Sequence, residues 1–214
     1  MLKKLFISPF LTKDILKKPH RVLFSYLRTV IEYFNYKSGP EFSVKFYPRI
    51  NDRKEFTGTI GGRYTFQDKW AAEKIYSSKI PSHVDIASSE KFVLMCSVFT
   101  KITCIDIRPF ITKLNNIEVV KGTILSLPYE DNSVDSISSL SVIEHIGLGR
   151  YGDPIDFEGT IKAAKELSRV LSIDGYLYVA VPIGKKNIEY FNAHRVFERE
   201  TFISYFEGLT LVDE

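Results

Sequence analysis

Glu144 and His145 come one residue after the run Val134 to Val142, in which apolar and polar residues intermingle. Histidine has an ordinary pKa of about 6.5, so its imidazole is a serviceable proton acceptor near neutrality. His145 can act as a general base with Glu144 beside it, or it can fix loop backbone. The next stretch, GLGRYGDP, sets Arg150, Tyr151 and Asp153 among glycines at 147, 149 and 152, which let the chain bend sharply. An arginine with a tyrosine suits a sugar or a nucleotide-sugar phosphate. The competing reading pairs Arg150 internally with Asp153 or Asp156. In FNAHRVF a second histidine, His194, stands beside Arg195, a candidate base next to a candidate anion contact. His83, Asp85, Asp106, Glu144 and His145 sit on separate elements without ligand spacing, so a metal site is not expected.

Strands and helices alternate around these residues, the pattern of a parallel sheet covered by helices. Strands are expected at HVDIA (83–87), KITCIDI (101–107), IEVVKGTI (117–124), VDSISSLSV (134–142) and GYLYVAVP (175–182). Helices are expected at 67–78, 92–99, 160–171 and 198–206, with LTLVDE beginning a sixth strand as the sequence stops. Ahead of them, Val22, Tyr26, Val30 and Phe34 fall three to four residues apart in RVLFSYLRTVIEYFNY, a helical stripe. Residues 41–62 read as short extended pieces broken by Pro48, Gly58 and the Gly61-Gly62 pair. Tyr64, Gln67 and Trp70 could close one side of a pocket, with core packing the plainer reading for Trp70.

The 214 residues suit one domain with an extension, here 1–62 as a basic helical head and 63–214 as the α/β body. Hydrophobic content of 44% against 26% charged residues allows a sizeable core. The two cysteines, Cys96 and Cys104, fit neither a zinc spacing nor a disulfide framework and read as buried thiols. No apolar run reaches the roughly 20 residues that span a bilayer. A cytoplasmic protein is expected, with a basic head able to place it at a membrane surface. The net charge of +3 is unevenly spread: residues 1–54 hold 12 Lys and Arg against 4 Asp and Glu, leaving the body acidic. That head suits an anionic membrane or a protein partner better than nucleic acid, or it is a solvated helical extension.

From residue 83 to 214 this order resembles the class I S-adenosylmethionine-dependent methyltransferases. VDIASS stands where that superfamily has its first strand and glycine loop. Asp106 ends the second strand 21 residues after Asp85, at the superfamily's ribose acid. LPYEDNSVDSISSLSVIEHI and RVLSIDGYLYVAVP are similar to the stretches around its fourth and fifth strands. YTFQDKWAAEKI, EHIGLGRYGDP and FNAHRVF together resemble a small bacterial and nematode family of unknown function within it.

The resemblance implies a Rossmann-like sheet, S-adenosylmethionine as cofactor, and a site at the strand ends. Asp85, Ala87, Ser88, Ser89, Asp106, Ile107, Thr123, Ile124 and Ser141 would hold the cofactor. Glu144, His145 and His194 would serve catalysis, and Arg150, Tyr151, Asp153 and Arg195 would hold the acceptor. The alternative for His194 is to shape the pocket rim alone, as its superfamily counterparts often do. Two positions depart from the pattern. Ala87-Ser88-Ser89 replaces the glycines, and a non-glycine residue in the left-handed region costs about 1–2 kcal/mol. Thr123 stands where an acid often holds the adenine amino group, a loss of about 1 kcal/mol. Together these lower affinity roughly 30- to 150-fold, with Ser88 and Ser89 as candidate replacement donors. The expected function is methyl transfer to a small polar acceptor, with a sugar of a surface glycan as the candidate. The alternative is a non-catalytic binding or scaffold protein of the same fold.

Overall fold

Alternation of side chains along each strand builds a sheet that is buried on both faces. The computed structural model describes residues 19–36, 44–46, 48 and 61–214, and the chain divides into two compact units, Met1–Ile60 and Gly61–Glu214. In the first unit, α1 (Pro19–Asn35) carries Leu23, Phe24, Leu27, Ile31 and Phe34, each more than half exposed. The rings of Tyr26 and Tyr33 on the same helix pack edge-on or tilted against Phe46. Most of residues 41–62, expected as extended pieces, lies outside the described residues.

The second unit opens with α2 (Arg63–Ser78), four residues ahead of its expected start, followed by β1 (Ser82–Ile86) and α3 (Glu90–Cys96). Next come β2 (Lys101–Asp106), β3 (Ile117–Lys121), β4 (Val134–Leu140), α4 (Gly159–Val170) and β5 (Leu171–Ala180). These five strands lie in the order β3-β2-β1-β4-β5 and pair in parallel throughout. The winding reverses between β1 and β4, and an open α/β sheet leaves a crevice beyond its strand ends at such a point.

α2 and α3 bring Ala71, Ala72, Ile75, Phe92 and Val93 against Ile102, Cys104 and Leu140 on one face. α4 brings Ala163, Leu167 and Val170 against Val84, Ile86, Ile105 and Ile137 on the other. Arg169 of α4 reaches the carboxylates of Glu166 and Asp131 and the carbonyl of Tyr129, pinning the turn that feeds β4. Cys96 and Cys104 are free and buried. Burial pushes the Cys96 thiol up to about 12 and the Cys104 thiol well above its ordinary range.

Beyond β5, the short strands β6 (Ile183–Gly184), β7 (Ile188–Tyr190) and β8 (His194–Glu198) form a separate sheet ordered β6-β8-β7, followed by α5 (Arg199–Ser204). β6 and β7, of two and three residues, are too short to show an alternation in the sequence. LTLVDE is not a strand. Its last two residues are instead tied by side chains, Asp213 to Lys74 and Glu214 to Arg199. Among the described residues no helix is long and apolar enough to cross a membrane.

The loop from Ile146 to Gly159 is closed by its own backbone. Asp156 N–H donates to the Gly147 carbonyl at 2.9 Å. Gly147 has φ +81, and a Cβ there would collide with the Asp156 carbonyl. Gly152, at φ +88, faces open space. Gly147→Ala is therefore expected to destabilise by more than about 2 kcal/mol, combining clash and dihedral cost. Gly152→Ala should cost about 1 kcal/mol from the dihedral alone. Urea denaturation of the two variants checks the difference, and equal losses would mean that the loop relaxes around the added methyl group.

Candidate active site

The ends of β1, β2 and β4 surround a cleft of about 390 Å³, within the roughly 300–1,000 Å³ usual for small-molecule sites. Ile86, Ile105, Ile107, Ile124, Leu125 and Val142 supply apolar walls, and Ala87 lies at the β1 end. Asp106, Arg108, Thr123, Ser141, His145, Tyr151 and Asp153 supply the polar groups.

Asp106 Oδ1 accepts the Arg108 N–H at 2.7 Å, a turn that fixes the carboxylate at the end of β2. Its other oxygen has no partner among the described residues and is left to accept from a ligand. Thr123 Oγ1 accepts the Leu125 N–H at 3.3 Å, so its proton remains to be donated. Ser141, at φ +56, donates its hydroxyl to Gln67 Oε1 at 3.0 Å. That bond ties α2 to the edge of the cleft.

The loop after β1 differs from expectation. Ala87 does take the left-handed conformation, at φ +54. Ser88 N–H, however, donates to Asp85 Oδ2 at 3.0 Å, and Ser88 Oγ accepts the Leu140 N–H at 3.0 Å. Ser89 Oγ accepts the Phe92 N–H at 3.1 Å, capping α3, and donates to Asp68 Oδ2 at 2.9 Å. Neither serine lines the cleft: Ser89 gives its hydroxyl proton to Asp68, and Ser88 holds Asp85 and Leu140. Asp85 is also off the cleft: it faces the α2–α3 side of the sheet with no exposure. Its carboxylate holds the loop through the Ser88 N–H.

His145 follows β4 in a short 3-10 turn, Ile143–His145. Its Nδ1 donates to the Ala193 carbonyl at 2.6 Å, which leaves Nε2 as the proton acceptor. Burial, the largest influence, lowers its pKa and favours that neutral form. Glu144 is buried beside it, with Oε1 3.8 Å from His145 Nε2, beyond hydrogen-bond range. Glu144 Oε2 has no hydrogen-bond partner among the described residues, and burial pushes the carboxyl up to about 7. Glu144, expected to serve catalysis, does not line the cleft but is buried next to His145, which does. His194 is likewise outside, its ring 6.4 Å from that of His145 and 5.1 Å from Tyr190.

Arg195 is a buried clamp, which corrects its reading as an anion contact. It donates to Glu189 Oε2 at 2.8 Å, to the Ile146 carbonyl at 2.6 Å and to Thr160 Oγ1 at 3.0 Å. Asp153 lines the cleft, but its carboxylate accepts from Gly147 N–H at 2.7 Å and Tyr151 N–H at 3.3 Å, so it shapes the loop. Arg150 pairs with neither Asp153 nor Asp156; it donates to the Ala193 carbonyl at 3.1 Å, while Asp156 pairs with Lys162. Sequence reasoning missed Arg108, whose guanidinium lies 4.3 Å from the Tyr151 ring centre. Nothing local marks it beyond its place just after Ile107. Among the described residues no three metal-ligating side chains gather.

The sheet order, the crevice at its reversal and an acid ending β2 define the class I methyltransferase fold. A solved structure shares it. A Burkholderia thailandensis 1,6-didemethyltoxoflavin-N1-methyltransferase, solved with 1,6-didemethyltoxoflavin and S-adenosylhomocysteine bound, is similar over 95% of this chain and 80% of its own, with 8% identity and a TM-score of 0.51. The cyclase SpnF matches over 65% of this chain and 56% of its own, at 14% identity and a TM-score of 0.47. The YcgJ protein of Bacillus subtilis matches over 64% and 66%, at 17% identity and 0.46. The chain thus spans between half and two thirds of the length of these last two. No curated protein matches the sequence. The chain belongs to the family described as Caenorhabditis protein of unknown function, DUF268, whose sequence model matches residues 95–214.

Glu144 gives the site a measurable pH signature. Its folded pKa of about 7 exceeds the ordinary 4.5, so its contribution to stability is fully present below the lower value and is lost as pH rises through the higher. Glu144→Gln, neutral throughout, should match the parent near pH 4 and be more stable by about 1–3 kcal/mol near pH 8. Urea unfolding at both pH values is the check. An equal loss at both would show that the carboxylate has a partner.

Proposed function

We propose that this protein transfers a methyl group from S-adenosylmethionine to a small polar acceptor, with a sugar, free or nucleotide-linked, as the acceptor class. The supporting observation is His145: its Nδ1 is committed to the Ala193 carbonyl, and its Nε2 is left as a proton acceptor in the wall of the cleft. The donor set fits the cofactor. Asp106 has a carboxylate oxygen to accept ribose hydroxyls, Ile107 and Ile124 offer apolar faces to an adenine, and Thr123 and Ser141 supply hydroxyl groups at the same edge. When bound, the cofactor supplies an activated methyl group on a sulfonium. Positioning then accounts for most of the rate, and His145 takes the proton from an acceptor hydroxyl or amine. Tyr151, edge-on to the His145 ring at 5.4 Å between centres, would orient the acceptor.

One observation favours the second reading, a non-catalytic binding protein of this fold. The β1 loop has Ala87 in the left-handed region and has turned the side chains of Ser88 and Ser89 inward. Calorimetric titration with S-adenosylhomocysteine separates the two readings. Binding in the range of about 0.1–1 mM is expected, weakened at least about tenfold in Asp106→Ala. No heat at millimolar ligand would leave the binding protein as the better account. Unchanged affinity in Asp106→Ala would remove the ribose assignment.

The head is assigned by the same proposal to an anionic membrane surface, with a protein partner as the alternative. Support comes from the exposed Leu23, Phe24, Leu27, Ile31 and Phe34 of α1 together with the excess of Lys and Arg in residues 1–54. The full chain should float with phosphatidylserine vesicles, less so in Leu27→Glu/Phe34→Glu, and hardly at all with phosphatidylcholine. Equal flotation of parent and variant would exclude α1 as the membrane contact.

A further inference from the structure

Two guanidinium groups gather on one aromatic ring at the mouth of the cleft. Arg108, just past the end of β2, lies 4.3 Å from the Tyr151 ring centre, and Arg150, in the loop after β4, lies 5.0 Å from it. Both arginines are exposed. Among the described residues no carboxylate comes within ion-pair distance of either. The nearby acids are committed elsewhere: Asp153 to the amides of Gly147 and Tyr151, and one oxygen of Asp106 to the Arg108 amide. Two like charges on one ring repel, although each gains about 0.5–1 kcal/mol from its face. An oxyanion that accepts from both would offset the repulsion, and the planar fork of a guanidinium matches phosphate and carboxylate oxygens.

We infer that Arg108, Tyr151 and Arg150 form an oxyanion subsite that holds a phosphate or carboxylate group of the acceptor at the mouth of the cleft. The inference rests on the methyl-transfer reading for the acceptor's role, and it narrows the acceptor from polar to anionic. Charge favours the acceptor over the cofactor as the occupant, because a sulfonium is disfavoured beside two arginines. Position favours it too. The Tyr151 ring that carries both arginines also meets His145 edge-on, so an anion held there sets the rest of the acceptor beside the candidate base. Arg108 and Arg150 are thus positioning residues. A neutral sugar would leave both without a counter-ion, whereas a sugar phosphate or a nucleoside diphosphate sugar would not.

The test follows arginine Nε–H signals of the full chain by ¹⁵N-edited NMR, with inorganic pyrophosphate as probe at constant ionic strength. Saturable shifts are expected at Arg108, Arg150 and the Gly152 amide. Binding should weaken about tenfold or more in Arg108→Gln and in Arg150→Gln. Shifts absent at millimolar probe, or unchanged in both variants, would overturn the subsite. A second arm compares S-adenosylhomocysteine with 5′-methylthioadenosine, which lacks the amino-acid carboxylate. If Arg108→Gln weakens only the former, the oxyanion belongs to the cofactor and the proposal falls. Pyrophosphate binding without any S-adenosylhomocysteine binding would support the subsite while removing the methyl-transfer reading.

Discussion

A carboxylate with no access to water sits at the centre of the sheet, and much of the site is arranged to satisfy it. Asp85 Oδ1 accepts from Ser138 Oγ at 2.6 Å, and Oδ2 accepts from the Ser88 N–H at 3.0 Å. An uncompensated buried charge costs several kcal/mol, and here dipoles alone compensate it. His83, whose pKa burial lowers to about 3, extends the chain in its neutral form. Its Nε2 donates to Ser138 Oγ at 2.8 Å, and its Nδ1 accepts from Ser136 Oγ at 2.7 Å. The direction of every proton follows from the carboxylate being acceptor only. Burial raises the Asp85 pKa to about 6 while the bonds from Ser138 and Ser88 favour the ionised form, so the carboxylate is charged and acceptor only at neutrality.

The loop geometry follows from that requirement. For the Ser88 N–H to turn back toward Asp85, the chain passes through Ala87 in a conformation that glycine adopts without strain. Ser88 Oγ then holds the end of β4, and Ser89 starts α3 while binding Asp68 of α2. Gln67, the neighbour of Asp68, holds Ser141 in the wall of the cleft. A loop that would ordinarily present itself to a ligand is thus occupied with internal bonds, and the ligand-facing polar groups lie toward the ends of β2 and β4.

Local pattern carried the fold. The alternation in KITCIDI and the helical spacing in TIKAAKELSRVL each mark an element to within a few residues, because period and burial agree there. The serines of β4 were less legible. Ser136 and Ser138 look like a solvated face in VDSISSLSV, yet they point inward because His83 and Asp85, distant in sequence, need partners. Arg195 was illegible for the same reason, because Ile146, Thr160 and Glu189 meet its guanidinium only in the folded chain. Asp153 binds amides of its own loop while still lining the cleft. Arg108 escaped notice because its aromatic partner lies in another loop.

The two cysteines give the core a chemical readout of its own. Cys104 lies in β2, 3.7 Å from Asp85, and Cys96 ends α3, so both belong to the layer between the sheet and its α2–α3 cover. A thiol held in its protonated form and shielded from reagent is inert while that layer is shut. Alkylation of the native chain would thus report how often this layer opens, and a cysteine introduced on the surface would be labelled with both native thiols silent.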